Sequence, residues 1–154
     1  MLLLRVPSHR GHRQLSDEHE EILNAVGSLR RAASTGDASG TCALVGKLSA
    51  LLDRHSAFEE RGVFAELKTD PEFAAHVDSL AADHHRVHEL LSMVASGDLG
   101  AAAEAERALR RHVDREENGL FPAAAVSLDG SAWARIEQRN DLASRPSDGE
   151  RPNP

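Results

Sequence analysis

Two stretches of this sequence follow one template, and they decide the fold. The first is His55-Ser-Ala-Phe-Glu-Glu-Arg-Gly-Val-Phe64, and the second is His112-Val-Asp-Arg-Glu-Glu-Asn-Gly-Leu-Phe121. Both have the pattern His-x-x-x-Glu-Glu-x-Gly-apolar-Phe. Residues four apart on a helix lie on the same face. Each template can therefore present a histidine nitrogen and a glutamate oxygen to one inward point.

A second repeated pattern precedes each template. Its first copy is Leu15-Ser-Asp-Glu-His-Glu-Glu-Ile22, and its second is Leu80-Ala-Ala-Asp-His-His-Arg-Val87. In both copies a leucine stands four residues before the histidine, an acid one before it, and apolar residues three, seven and ten after it. This register selects His84 rather than His85. Each half of the chain is therefore predicted to be a helical hairpin that supplies one histidine, then a histidine with a glutamate.

Apolar residues at helical spacing predict four long helices and a short fifth one. The expected helices run from about 14 to 33, 41 to 67, 71 to 95, 99 to 120 and 131 to 142. Ser16 is a candidate cap for the first helix, and Asp70 before Pro71 predicts the start of the third. Trp133 and Ile136 are expected to pack across the bundle. Short connections make neighbouring helices antiparallel, so the predicted fold is all-α: an up-down-up-down four-helix bundle with a short C-terminal fifth helix.

The length and charge of the chain bound its class. Its 154 residues are typical of one domain. We expect a flexible N-terminal arm over 1–13, the bundle over 14–143 and a disordered, proline-rich tail over 144–154. The formal net charge of −7 argues against binding to nucleic acid or to anionic membranes. No stretch approaches the roughly 18 apolar residues that cross a bilayer, so a cytoplasmic protein is expected.

Nine histidines and a single cysteine point to a metal site without thiolate ligands. The two template pairs continue the apolar stripes of their helices, so they are expected to face the core. A buried carboxylate costs several kcal/mol unless it is paired or bound to a cation. Imidazole and carboxylate together suit iron, manganese or zinc. Two similar half-sites favour two metal ions bridged by the glutamates.

The order His19, His55-x-x-x-Glu59, His84, His112-x-x-x-Glu116 over four helices resembles the hemerythrin-like, or HHE cation-binding, domains. The resemblance covers about residues 14 to 125. It implies a non-heme centre of two iron ions, bridged by carboxylates, with one open position for dioxygen or a related small ligand. Carried onto this sequence, the resemblance implies that one iron is bound by His19 and His55, the other by His84 and His112, with Glu59 and Glu116 bridging.

Two positions leave alternatives open. Hemerythrins proper use a fifth histidine one turn after the third-helix ligand, and His88 matches that place, so it is a further candidate ligand. They also use an aspartate five residues after the last histidine, where this sequence has Glu117. The second bridge is therefore Glu116 or Glu117, and the four-residue spacing favours Glu116. Glu60 and whichever of Glu116 and Glu117 does not bridge are expected at the surface or behind the ligands.

Three functions remain open from the sequence. The first is a di-iron protein that binds or reacts with dioxygen, peroxide or nitric oxide, in sensing, storage or detoxification. The second is a non-redox regulatory module that binds iron or zinc without turnover, and the third is a metal-free helical interaction module. The sequence contains no nucleotide-binding loop, nucleophile elbow or zinc-protease motif. It predicts no catalytic residue apart from the metal ligands and does not indicate the oligomeric state.

Overall fold

Helices make up almost all of residues 10–145, the part of the chain that this computed structural model describes. A π-helical turn, Glu116–Leu120, joins the fifth helix to the sixth, and no strand occurs within these residues. The helices are, in chain order, α1 (Arg10–Ser34), α2 (Ala38–Arg61), α3 (Val63–Leu67), α4 (Pro71–Ala95), α5 (Ala101–Arg115), α6 (Phe121–Ser127) and α7 (Gly130–Ser144).

Four long helices form the walls of the bundle. α1 packs against α2 and α5, and α4 packs against the same two helices. The turn after α1 and the turn after α4 each contain a glycine at positive φ, Gly36 at 72° and Gly97 at 105°, a conformation that glycine adopts without steric cost. α7 packs on the outside, against α2 and α3. The predicted four-helix bundle with a short C-terminal helix is confirmed.

The core consists of two apolar layers with a polar layer between them. Along α1, His19 lies between Leu15 of one layer and Ile22 of the other. Each buried Leu, Ile, Val or Phe side chain contributes about 1.5–3 kcal/mol relative to exposure, which offsets the cost of burying polar groups between them. We call the layer that contains Ile22 the upper layer and the layer that contains Leu15 the lower layer. The upper layer includes Ile22, Val26, Leu48, Leu52, Val87, Leu91 and Leu109. The lower layer includes Leu15, Val63, Phe64, Leu80, Leu120, Phe121, Trp133 and Ile136.

The starts of two helices test the predicted caps. Asp70 caps α4 as predicted: its carboxylate accepts a hydrogen bond from the backbone N–H of Glu72 at 2.9 Å, with Pro71 in the first turn. The predicted Ser16 cap is wrong, because α1 begins at Arg10 and Ser16 lies within it. The predicted arm is therefore helical from residue 10. The rest of that arm, residues 1–9, and residues 146–154 of the predicted tail lie outside the described residues.

Both templates interrupt their helices at the glutamate-to-glycine segment, which the sequence did not predict. The second predicted helix ends at Arg61 and restarts as α3 after Gly62. The fourth was expected to reach about Leu120, with an end or a kink at Phe121-Pro122. It passes through the π-helical turn and continues as α6. Pro122, which has no backbone N–H to donate, directly follows the π-helical turn and lies in the first turn of α6.

α7 is attached by apolar burial and by a charge cluster. Trp133 and Ile136 are buried in the lower layer, as predicted. Glu66 of α3 accepts two hydrogen bonds of 2.9 Å from Arg135, and a further one from Arg139. The C-terminal helix thus closes the end of the bundle that contains the lower layer.

The template glycines give a matched test of this packing. A Cβ on Gly62 would lie 2.9 Å from Ile136 Cγ2 and 3.0 Å from the Phe58 carbonyl oxygen, whereas a Cβ on Gly119 meets nothing within 4 Å. We expect Gly62→Ala to lower the free energy of unfolding by about 1–3 kcal/mol. Gly119→Ala should leave it unchanged or slightly raised. Urea denaturation followed by circular dichroism measures both, and equal losses in the two variants would contradict the proposed contact with α7.

Candidate metal centre

Six polar side chains meet in the layer between the two apolar layers. Each long helix contributes one histidine, and the two glutamates are wholly buried, both 0% exposed. Glu59 lies one turn after His55 on α2, and Glu116 lies one turn after His112, where α5 gives way to the π-helical turn. Sequence spacing predicted that these six residues share the core, and the structure brings them together: His19, His55, Glu59, His84, His112 and Glu116.

The six side chains form two overlapping groups of potential metal ligands. We call His19 and His55 the first histidine pair, and His84 and His112 the second histidine pair. Each pair, together with both glutamates, places its ligand atoms within 4.8 Å of one another. The glutamates are therefore common to both groups, and the centre has the composition of two four-ligand positions that share two carboxylates.

Each glutamate directs one oxygen to each histidine pair. In Glu59, Oε1 lies 3.0 Å from His55 Nε2 and Oε2 lies 3.2 Å from His84 Nε2. In Glu116, Oε2 lies 2.9 Å from His19 Nε2 and Oε1 lies 3.1 Å from His112 Nε2. A carboxylate oriented in this way can bind one cation through each oxygen.

In each of the four histidines of the two pairs, the outer nitrogen, Nδ1, faces a second carboxylate. The Nδ1 atoms of the first pair lie 2.7 Å from Glu117 for His19 and 2.8 Å from Glu18 for His55. Those of the second pair lie 3.0 Å from Glu60 for His84 and 3.3 Å from Asp83 for His112. An ionised carboxylate only accepts hydrogen bonds, so each Nδ1 carries the proton and donates it. In a neutral imidazole this leaves the Nε2 lone pair facing the centre, as a metal ligand requires.

The donor set fits cations. His84 Nε2 and His112 Nε2 lie only 3.1 Å apart. With both Nδ1 atoms protonated, two neutral rings would oppose their lone pairs at that distance. A positive charge between them, a proton or a metal ion, removes the repulsion. Two imidazoles and two carboxylates at each position are ligands that iron, manganese and zinc accept.

The two halves of the chain hold each other's histidines. Phe121 stacks on His19, with ring centroids 5.6 Å apart and an interplanar angle of 8°. Phe64 stacks on His84 at 5.7 Å and 7°. The second glutamate of each template acts on the same rings, Glu117 on His19 and Glu60 on His84. The end of each template therefore fixes the first-helix histidine of the opposite hairpin.

Without a metal ion, the buried glutamates favour protonated histidines. Burial opposes protonation of His19, but the carboxylates of Glu116 and Glu59 near its Nε2 outweigh it and raise its pKa to about 10. Burial is likewise outweighed at His55, where the charge of Glu59 and a hydrogen bond with Glu18 raise the pKa to about 9. The pKa of His84 is also raised, since Glu59 outweighs its burial. Burial would raise the pKa of Glu59, but the charge of His55 lowers it well below 4.5.

Two candidates lie outside the inner layer. His88 is not brought to the other ligands: its side chain is 37% exposed, and its Nε2 lies 3.3 Å from Asp53. The four-residue spacing does not by itself decide this, because His55 and Glu59 have the same spacing and both face the centre. Glu117 lies behind His19 rather than between the pairs, so Glu116 occupies the inner position. Sequence reasoning gave no role to Glu18 and Asp83, although the acid before each repeated histidine was visible.

Two histidine pairs and two shared carboxylates inside a helical bundle are the ligand set of a cation-binding protein. The Hemerythrin HHE cation binding domain matches residues 10–124, most of the chain, and the chain belongs to this family. The search of curated proteins found no match to this chain. Within residues 10–145, no helix combines the length and apolar character needed to cross a membrane.

The raised histidine pKa values predict how metal-free protein responds to pH. The unfolded-state pKa is about 6.5, so protonation of His19 and His55 favours folding fully below that pH. This contribution is lost as pH rises through about 9 and 10. Glu59 contributes above its unfolded pKa and stays ionised throughout this range. We expect the free energy of unfolding to fall, on the order of a few kcal/mol, between pH 6 and pH 10.

Urea titrations of chelator-treated protein at several pH values measure this fall. Saturating metal is the control, because metal ions bind neutral imidazole and their affinity rises with pH. The fall should therefore shrink or reverse in metal-loaded protein. Stability of the metal-free protein that is flat or rises toward pH 10 would contradict the assignment.

Proposed function

We propose that this protein binds two iron ions in the centre and that it binds or reacts with a small oxidant such as dioxygen, peroxide or nitric oxide. The observation that carries the proposal is the pair of fully buried glutamates, each of which faces both histidine pairs. Membership of a cation-binding family supports it independently. In this proposal the first histidine pair binds one ion, the second pair binds the other, and Glu59 and Glu116 bridge.

The ligand count favours a reactive centre over a closed structural one. Each position offers four protein ligands, two nitrogens and two carboxylate oxygens. Iron commonly takes more ligands than four, so coordination is left for a small molecule. Bound iron would supply the electrons that the oxidant takes up. Leu, Val and Phe side chains of the two apolar layers enclose the centre, which restricts access to small molecules.

The charge around the centre favours the more highly charged state of the metals. Two buried carboxylates lie between the positions, and four partly exposed ones accept hydrogen bonds from the histidine Nδ1 atoms. A hydrogen-bonded carboxylate behind an imidazole makes its metal-binding nitrogen more basic. Ferric ions gain more than ferrous ions from this negative charge. The residues of the chain therefore favour loss of electrons to an oxidant.

A non-redox role with iron or zinc is the alternative, since zinc accepts the same ligands. The choice among sensing, storage and detoxification, and the cytoplasmic location, stay predictions. Metal analysis of natively purified protein, with absorption spectra before and after air and peroxide, separates the two roles. We expect two irons per chain and a near-ultraviolet band that changes with peroxide. Two zinc ions and a colourless protein would favour the alternative, and a folded protein without metal would contradict both.

Neighbouring histidines on α4 provide a matched test of the ligand set. His84 is buried in the centre, whereas His85 is exposed and His88 lies on the flank. We expect His84→Ala to reduce the metal content from two ions toward one. His85→Ala and His88→Ala should keep both ions. Circular dichroism verifies that each variant is folded, and loss of a metal ion in His88→Ala would restore His88 as a ligand.

A further inference from the structure

The two histidine pairs have the same ligands but different surroundings. Each has two histidines whose Nδ1 atoms donate to two carboxylates, and the same two glutamates lie between the pairs. An exposed arginine precedes the template histidine in both halves, Arg54 and Arg111. The ligands of the two positions are matched, so a difference must come from the groups that contact the outer carboxylates.

A cation lies behind the second histidine pair. Arg115 donates from Nη1 to Asp83 Oδ2 at 2.5 Å, and this is the same oxygen that faces His112 Nδ1. Ser79 holds the other end of the guanidinium, accepting from Nη2 at 2.7 Å. The guanidinium neutralises part of the charge that Asp83 would direct at His112. The contact from His112 to Asp83, at 3.3 Å, is the longest of the four.

Neutral donors occupy the corresponding places behind the first histidine pair. Gln14 donates to Glu18 at 3.1 Å, and Ser16 donates to Glu117 at 3.1 Å. Neither donor carries a charge. The charge of the exposed Arg54 also acts on Glu18, but without a hydrogen bond. In the first template, the position of Arg115 is taken by Phe58, and in the second repeat the position of Ser16 is taken by Ala81. The difference between the halves is therefore a property of the sequence.

We propose that the two cation positions are unequal: the position at the first histidine pair fills first and holds its ion more tightly than the position at the second pair. Arg115 is the residue that lowers the affinity of the second position. It touches no proposed ligand and acts through Asp83 on the basicity of His112. The inference depends on the proposed two-ion centre. It gives the centre one firmly held ion and one ion that is exchanged more easily.

Stepwise binding of cobalt tests this inference. The full-length metal-free protein is titrated with Co²⁺ under argon, and calorimetry and visible absorption follow the binding. We expect two steps whose dissociation constants differ by about tenfold or more. Arg115→Gln should strengthen the weaker step by about tenfold and leave the tighter step unchanged. The matched control is Arg111→Gln, an exposed arginine on the same helix, which should change neither step.

A second pair of variants separates unequal positions from simple repulsion between two bound ions. Glu18→Gln removes the charge behind His55, and Asp83→Asn removes the charge behind His112. With unequal positions, Glu18→Gln weakens the tighter step by about 10–100-fold and Asp83→Asn weakens only the weaker step, by less. With repulsion alone, both variants would weaken the steps alike, which would overturn the inference.

The remaining outcomes are equally decisive. Two indistinguishable steps in the unaltered protein, or an effect of Arg115→Gln on the tighter step, would overturn the unequal positions while two ions per chain left the proposed function standing. Failure to bind any Co²⁺ would overturn both proposals together.

Discussion

Burial of two glutamates in the middle of a four-helix bundle is the constraint on which the rest of this structure depends. Neither Glu59 nor Glu116 is exposed at all, and an uncompensated buried carboxylate costs several kcal/mol. Four histidines turn their Nε2 atoms toward these oxygens and share the charge between them. The layers of leucine, valine and phenylalanine on either side supply the burial that holds the polar layer in place.

A consequence of this burial is that neither helical hairpin can form the centre alone. Each glutamate faces histidines of both halves, and each template also supplies a carboxylate and a phenyl ring to the first histidine of the other half. The polar layer therefore fixes the register between the hairpins as well as within them. A shift of one helix by a turn would separate an imidazole from both its inner and its outer carboxylate, at a cost that apolar packing alone would not impose.

The sequence predicted the bundle and the six inner residues because the rare residue types recur at helical spacing, in apolar stripes, in both halves. It did not predict the break at Gly62. The close approach of Ile136 to that glycine comes from a helix distant in sequence, and local spacing does not indicate such a tertiary contact. Nor did it predict that His88 would lie apart, because a residue one turn away faces inward or sideways according to helix rotation. The contact of Ser16 with Glu117 likewise depends on tertiary packing, so local spacing suggested a cap instead.

The ligand residues repeat in the two halves, whereas the residues that contact the outer carboxylates differ, and the two features have different physical reasons. Shared carboxylates require two similar positions at a fixed separation, so the ligand-bearing residues repeat. One ion can be exchanged while the other stays bound only if the two positions differ in affinity. Such a difference can arise without any change in the ligand residues. Arg115 and Ser16 are differences of that kind between the two repeats. Arg115 alters the charge around Asp83, and Ser16 adds a hydrogen bond to Glu117. If it binds two ions as proposed, a bundle built from two similar hairpins would thus hold them unequally.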